Sequence, residues 1–134
     1  MPSKCAIDMD MYIDHINISA PRELLDEVKD FYCDVLGLKN GFRQNFPRFG
    51  YWLYGGDNAL IHLIESDSHV RNEKQGYLDH FAFRATGLAP MLESLNSHQI
   101  DYRMSFIEEK NLTQVFLKDP SGTGVEIGFV DETV

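Results

Sequence analysis

An internal repeat is the feature that most constrains the fold of this 134-residue chain. Residues 14–18, DHINI, return 65 positions later as residues 79–83, DHFAF. Residues 52–63 return at an offset of 64 as residues 116–127. The first pair alternates in the way half-buried strands do, and each member of the second pair has two apolar runs around a turn-forming segment. The chain is therefore expected to contain two copies of one module.

Each copy also contains a helix between these paired segments. In the first copy, Pro21 begins a stretch with apolar residues at helical spacing, and Gly37 stands where a helix C-cap glycine belongs. In the second copy, residues 88–95 repeat the apolar pattern, and a strand is expected to resume at residues 100–103. The sequence thus predicts an α+β fold of two tandem βαβββ modules in a single domain, residues 1–134. Module one spans about 9–66, the charged linker 66–76 and module two about 77–130.

Composition and charge narrow the class of partner. The formal net charge is −9 and the sequence pI is about 4.8, which argues against nucleic acid or an anionic membrane surface as partner. A small-molecule or protein partner is favoured instead. The first residues hold no apolar core of signal-peptide length, and no run approaches the roughly 20 apolar residues that span a bilayer. We therefore expect a cytoplasmic location.

Strand alternation assigns four potential metal ligands to the faces opposite the apolar sides of their strands. These residues are His15, His62, His80 and Glu126. A single strand histidine is more often a surface or hydrogen-bonded residue than a ligand. Glu126 is harder to explain in that way, because a carboxylate in an apolar strand is costly unless a positive group meets it. Three imidazoles and one carboxylate together suit a divalent first-row metal. His69 and His98 lie in polar surroundings and receive no role.

These residues resemble the glyoxalase, bleomycin-resistance and extradiol-dioxygenase superfamily, also called vicinal oxygen chelate. The resemblance covers about Met9 to Phe129. Its most specific segments are residues 14–16, 31–32 with 36–38, 78–83, and 119–122 followed by 125–127. It implies modules whose sheets curl into a partly open, mixed arrangement around a metal, with helices on the outer face. Two-module members usually pair so that their sheets complete one another, which implies a homodimer.

By position, the resemblance places the metal ligands at His15, His62, His80 and Glu126, and it implies Zn, Ni, Co, Mn or Fe(II) as the ion. Members that catalyse glyoxalase-type isomerisation usually hold Glu, and epimerases Gln, where this chain has His62. Extradiol dioxygenases bind Fe(II) through two His and one Glu, which matches His15, His80 and Glu126 and leaves His62 free.

Three functions follow from this resemblance. The first is a glyoxalase-type lyase or isomerase that acts through a metal-stabilised enolate or alkoxide, with Glu126 or a metal-bound water as the base, and the short two-module length favours it. The second is an Fe(II) extradiol-type dioxygenase with His62 as a proton-transfer residue, which the presence of His62 favours. The third is a non-catalytic module that binds a small toxic compound and confers resistance.

The remaining candidate residues concern the substrate. Asn17 and Arg84 share the ligand faces of their strands with His15 and His80, and Arg84 can pair with an anionic group of the substrate or with a protein carboxylate. Trp52 belongs to an aromatic group near Arg43 and Arg48 that could line an aromatic or acyl pocket with an anion-binding rim. Core packing explains most of that group, whose other members are Phe42, Phe46, Phe49, Tyr51 and Tyr54.

Overall fold

A computed structural model of the chain describes residues 10–134. Module one contains β1, α1, β2, β3 and β4, and module two contains β5, α2, β6, β7 and β8. In chain order the bounds are β1 Ile16–Ala20, α1 Arg22–Asp30, β2 Lys39–Gly41, β3 Gly50–Gly55, β4 Asn58–Glu65, β5 His80–Ala85, α2 Leu88–Ser97, β6 Arg103–Ile107, β7 Leu112–Lys118 and β8 Gly124–Val130. A π-helix, Phe31–Val35, extends α1, and a 3₁₀ turn, Glu108–Lys110, precedes β7.

Each module forms a mixed four-stranded sheet with the same topology. The strand orders are β1-β4-β3-β2 and β5-β8-β7-β6, with the first strand of each module parallel to its last and the other pairs antiparallel. Residues 66–79 join the two sheets without a helix or strand. The predicted α+β fold of two tandem βαβββ modules is confirmed, and neither sheet closes into a barrel. Met9, where we expect module one to begin, and the N-terminal residues that bear on a signal peptide lie outside the described residues.

The apolar face of each sheet packs against its helix. In α1, Leu24, Leu25 and Val28 are buried, and the strand residues beneath the helices include Ile61 and Val125. This is the side that strand alternation predicts to be covered, because burying it removes apolar surface from water. The opposite faces, which hold the predicted ligands, remain uncovered within the described chain. None of the described helices combines the length and apolar character needed to cross a membrane.

The two helical segments end in the same way, although only one of them ends in glycine. Gly37 has a φ of 89°, and the next amide, that of Leu38, donates to the carbonyl of Tyr32. In module two, Gln99 takes the left-handed position with a φ of 58°, and Ile100 donates to the carbonyl of Leu95. Both are Schellman-type caps. The cap uses residues 99–100, so the expectation of a strand from residue 100 is wrong by three residues, and β6 begins at Arg103.

The modules contact each other through the helical side of module one. The hydroxyl of Tyr32 donates to Oδ2 of Asp119, in the β7–β8 turn, at 2.6 Å, and the Ser94 hydroxyl donates to the Val35 carbonyl at 2.6 Å. Tyr32 is fully buried and Asp119 is 4% exposed. Burial and the charge of Asp119 raise the pKa of Tyr32, so its hydroxyl keeps the proton that this bond needs.

We expect Tyr32→Phe to lower the free energy of unfolding by about 1.5–3 kcal/mol, because Asp119 would lose one donor while staying buried and charged. Urea unfolding measures this change. Tyr51→Phe is the matched control, since Tyr51 donates to Asp26 at the same 2.6 Å but in a partly exposed position. Equal losses in the two variants would contradict a special contribution from the buried bond.

Candidate functional site

The uncovered face of module one brings His15, His62 and Trp52 together. His62 in β4 pairs with Asn17 in β1 on one side and with Trp52 in β3 on the other. The His62 ring is stacked on the ring of His15, with centroids 3.7 Å apart, and on Trp52, with centroids 4.2 Å apart. These residues, with Asn17, form the first half-site. The first half-site lines a concave surface that encloses a cavity of about 830 Å³.

The electrostatics of the first half-site differ for its two histidines. Asp14 lies 2.8 Å from Nδ1 of His15, which leaves Nε2 of that ring free for another partner. Burial lowers the pKa of His62, and the neighbouring His15 lowers it further. The protonated form of His62 is therefore disfavoured, as expected for an imidazole that is partly buried between two other rings.

The uncovered face of module two brings His80 and Glu126 together. Nε2 of His80 lies 3.1 Å from Oε1 of Glu126, and Asp79 lies 2.8 Å from Nδ1 of His80. Gln114 in β7 donates to Oε2 of Glu126 at 2.9 Å. The hydrogen bond with Asp79 raises the pKa of His80, and the charge of Glu126 adds to this. His80, Glu126 and Gln114, with Phe116 against the edge of the His80 ring, form the second half-site.

Gly124 permits the close strand approach in the second half-site. It is the register partner of His80, and a Cβ atom at this position would lie 2.3 Å from the Asp79 carbonyl oxygen and 2.8 Å from the His80 Cβ. Any larger residue would therefore push β8 away from the start of β5. The glycine two residues before Glu126 thus fixes where His80 stands relative to that carboxylate.

The His80–Glu126 pair has the spacing of two ligands on one ion. Nitrogen and oxygen ligands about 2.1 Å from a metal and at right angles to each other are about 3.0 Å apart. The observed 3.1 Å is the length of a hydrogen bond between the two side chains, and it also fits this value. His80 Nδ1 and Glu126 Oε2 would face away from the ion, and they are hydrogen-bonded to Asp79 and Gln114. Hydrogen bonds of this kind orient metal ligands from the outer shell.

The His15–His62 pair does not have such a geometry. A metal bound by an imidazole lies close to the plane of that ring. The two rings are stacked with only 6° between their planes, so one ion cannot lie in both planes at once. His15 matches His80, because each follows an aspartate that holds its Nδ1. In this arrangement only one of the two stacked rings can bind a given ion. His15 is the better candidate of the two, because its Nδ1 is held as that of His80 is.

The four predicted ligands are therefore brought together as two pairs, one in each module. Among residues 10–134, no three His, Cys, Asp or Glu side chains lie close enough to hold one ion. His69 contacts Glu73, and His98 contacts the Ser94 carbonyl.

The predicted substrate residues Asn17 and Trp52 lie in the first half-site, whereas Arg84 lies further along β5 from His80 and belongs to neither half-site. Asn17 and Trp52 border His62, and Arg84 pairs with Gly128, two residues beyond Glu126 in β8. Strand alternation divides the aromatic group near Trp52. Tyr51 and Phe49 pack against the core, whereas Phe46, Trp52 and Tyr54 line the concave surface.

Sequence reasoning missed three residues that hydrogen-bond to the candidate ligands. Asp14 and Asp79 could have been found, because both copies of the repeat carry an Asp-His pair. Gln114 could not be assigned in the same way. Its position beside Glu126 depends on the pairing of β7 with β8, which brings Gln114 opposite Gly128.

The stacking of Trp52 gives a spectroscopic test of the first half-site, because Trp52 is the single tryptophan in the sequence. His62→Ala would uncover one face of the indole. We expect the fluorescence maximum to move to longer wavelength, since an indole in more polar surroundings emits at lower energy. His98→Ala, which removes a histidine outside both half-sites, is the control. An unchanged emission maximum in His62→Ala would contradict the stack.

Solved structures share this architecture at low sequence identity. A putative glyoxalase family protein from Bacillus anthracis superposes with a TM-score of 0.73 at 19% identity, covering 92% of this chain and 98% of the other. Lactoylglutathione lyase from Agrobacterium tumefaciens has a TM-score of 0.62 at 19% identity, covering 95% and 96%. A variant of the fosfomycin resistance protein FosX from Listeria monocytogenes, complexed with Mn(II) and 1S,2S-dihydroxypropylphosphonic acid, has a TM-score of 0.68 at 12% identity, covering 91% and 94%.

Comparison at the sequence level identifies the family. None of the curated proteins searched matches the chain. The family model for the glyoxalase/bleomycin resistance protein/dioxygenase superfamily matches residues 12–127, which include both modules and all four predicted ligands. The chain belongs to the glyoxalase/bleomycin resistance protein/dioxygenase superfamily, also known as vicinal oxygen chelate.

Proposed function

We propose that this protein is a metal-dependent enzyme of glyoxalase type, a lyase or isomerase, that acts on a small substrate with two neighbouring oxygen atoms. Its metal ligands are His15 of one copy of the chain and His80 and Glu126 of a second copy. The observation that carries the proposal is the 3.1 Å spacing of His80 Nε2 and Glu126 Oε1. The other polar atom of each side chain is hydrogen-bonded, His80 Nδ1 to Asp79 and Glu126 Oε2 to Gln114.

The separation of the two half-sites supports a site shared between two chains. Each module presents part of a ligand set on an uncovered sheet face, and a second copy related by a two-fold axis would bring the first half-site of each chain to the second half-site of the other. A homodimer of this kind would contain two equivalent sites.

Exposed apolar side chains beside the ligands support the same arrangement. Met11, Tyr12 and Ile13, which precede His15, are 71%, 80% and 80% exposed. Tyr77 and Leu78, which precede His80, are exposed as well. Apolar side chains grouped on an open surface commonly mark an interface. A second copy would cover these residues while it completes the metal site.

Residues around the proposed ligands would fix the position of the Glu126 carboxylate and take part in proton transfer. Ser105 donates to Gln114, which donates to Glu126, so the carboxylate is held by a chain of two hydrogen bonds. Glu126 is the candidate base. His62, stacked between His15 and Trp52, is a second candidate for moving a proton, because its imidazole lies beside the ligand His15 without sharing its ring plane.

A divalent ion held by two histidines and one glutamate would polarise the two substrate oxygens and stabilise negative charge that develops on them. Asn17 and Trp52 would contact the substrate from the side of His62. Zinc, nickel, cobalt, manganese and Fe(II) are all compatible with this ligand set.

A second candidate function is Fe(II)-dependent extradiol dioxygenation. Its ligand set would be the same, since two histidines and one carboxylate are typical of non-haem Fe(II) oxygenases. His62, stacked on His15 without sharing an ion with it, would then be the proton-transfer residue.

The ligand assignment predicts which substitutions remove the metal. We expect His15→Ala, His80→Ala and Glu126→Ala each to lose stoichiometric metal, measured by elemental analysis, with far-ultraviolet circular dichroism unchanged because these side chains lie outside the core. His62→Ala should keep its metal, and His98→Ala is the control for removal of an unrelated histidine. Retention of metal in any two of the first three variants would contradict the assignment.

The identity of the metal separates the candidate functions. We expect nickel, cobalt, zinc or manganese in protein purified without added metal, together with isomerase or lyase activity that returns when the same ion is restored after chelation. Iron, with oxygen uptake on addition of a catechol, would establish the dioxygenase instead. Protein that neither contains metal nor acquires it on soaking would be the non-catalytic binding module.

A further inference from the structure

The arginines of this chain fall into two groups: those that pair with a carboxylate, and those that have no such partner among the described residues. There are six in the sequence. Arg22 pairs with Asp26 at 3.9 Å and Arg71 pairs with Glu27, and both pairs involve helix α1. The other four have no carboxylate within 4.0 Å among residues 10–134, and they are Arg43, Arg48, Arg84 and Arg103. Arg43 and Arg48 line the concave surface of the first half-site, and Arg103 lines the one beside His80. Arg84 lies four residues after His80 in β5, where strand alternation gives both the same face.

Four arginines without a carboxylate partner are unusual in a chain whose acidic residues outnumber its basic residues. The chain has 21 acidic and 12 basic residues, so carboxylates are plentiful for any arginine on its surface. The arginines near the two half-sites nevertheless remain without a carboxylate partner in the described part of the chain. Unpaired positive charge concentrated in a concavity raises the local concentration of anions, even when the net charge of the protein is negative.

Arg43 is held in place by a hydrogen bond as well as by an aromatic ring, whereas Arg103 contacts only a ring, that of Phe116, at 4.2 Å. Nη2 of Arg43 donates to the Arg48 carbonyl at 3.0 Å, and its Cζ lies 5.1 Å from the centroid of the Phe46 ring. Arg43 also lies over Gly50, where a Cβ atom would come within 2.9 Å of Nη2. The absence of a side chain at residue 50 is what admits the guanidinium to this position. Arg43 is therefore oriented before any ligand arrives, which lowers the entropy lost on binding.

The charge of Arg43 is not compensated by the described residues. Its Nε is shielded from solvent, and among residues 10–134 neither Nε nor Nη1 has a hydrogen-bond acceptor. A partly buried charge without a counter-ion is destabilising unless a ligand supplies the opposite charge. The concave surface also contains Asp14 and Asp57, but Asp14 contacts His15, and neither lies within 4.0 Å of the guanidinium.

We propose that Arg43 binds an oxyanion of the substrate, a carboxylate or a phosphate, in the concave surface that holds His15 and Trp52. The inference rests on the proposed function and specifies its substrate class: a small anionic molecule whose charged group binds to Arg43 while its paired oxygens face the ligand set. Trp52 lies on the same concave surface and would contact the part of the molecule between these two ends.

Anion binding can be measured without metal, and Trp52 provides the signal. Metal-free protein is titrated with inorganic phosphate and, separately, with succinate, at constant ionic strength, while the tryptophan fluorescence is recorded. We expect saturable binding of at least one anion, about tenfold weaker in Arg43→Gln because a charge-assisted hydrogen bond is lost. Arg43→Lys should recover part of the affinity, since it keeps the charge but not the planar donor group.

Arg71→Gln is the matched control, since it removes the same charge from an arginine that already has a carboxylate partner. It should bind the anion within about twofold of wild type. An equal loss in Arg71→Gln, or wild-type protein that binds neither anion, would overturn the proposal. If Arg43→Gln instead weakens self-association and leaves anion binding unchanged, Arg43 pairs with a carboxylate of a second copy, which also overturns it.

Failure of this inference can be distinguished from failure of the proposed function. Metal content is measured on the same variants, and we expect Arg43→Gln to keep its metal. Loss of the Arg43 effect with metal binding intact rejects the anion site alone. Phosphate or succinate binding that depends on Arg43, in a protein whose ligand variants all retain their metal, rejects the ligand assignment and leaves the anion site in place.

Discussion

The parallel pairing of the first and last strands in each module is the constraint on which the site depends. The chain leaves β1, crosses through α1 and the β2–β3 hairpin, and returns with β4 beside β1. Residues far apart in sequence, such as Asn17 and His62, thereby become direct neighbours. In module two the same pairing aligns β5 with β8, and Gly124 permits the approach that brings His80 to Glu126. One strand pairing, used twice, creates both half-sites.

Packing then determines which faces remain available for chemistry. Each helix covers the apolar side of its own sheet, and the buried bond between Tyr32 and Asp119 joins the modules on the helical side. The polar sides of the sheets take no part in that contact. They hold candidate ligands, arginines that have no carboxylate partner in the described part of the chain and, at the starts of the modules, exposed apolar residues. A surface with these three properties fits association with a second copy better than contact with water alone.

Much of the fold and part of the site could be predicted from the sequence. The repeat gave the two modules because both copies carry the same order of strands, helix and hairpin, and strand alternation assigned His15, His80 and Glu126 to the uncovered faces. The stack of His62 on His15 could not be predicted, since it depends on the register of β1 against β4, which places Asn17 opposite His62. Arg43 escaped notice as a held residue because its position depends on Gly50 in the neighbouring strand. The distribution of the candidate ligands into two pairs depends on how the modules pack, and strand alternation carries no information about that packing.

A metal site shared between two chains is the central claim of this account, and subunit complementation tests it most directly. His15→Ala and Glu126→Ala, each carrying a different affinity tag, are produced together, and the mixed dimer is isolated with both tags. One site in that dimer combines the two altered residues and the other combines two intact half-sites. The account predicts no stoichiometric metal in either variant alone and about one ion per mixed dimer, because a two-fold interface gives two equivalent sites. A mixed dimer without metal would contradict it.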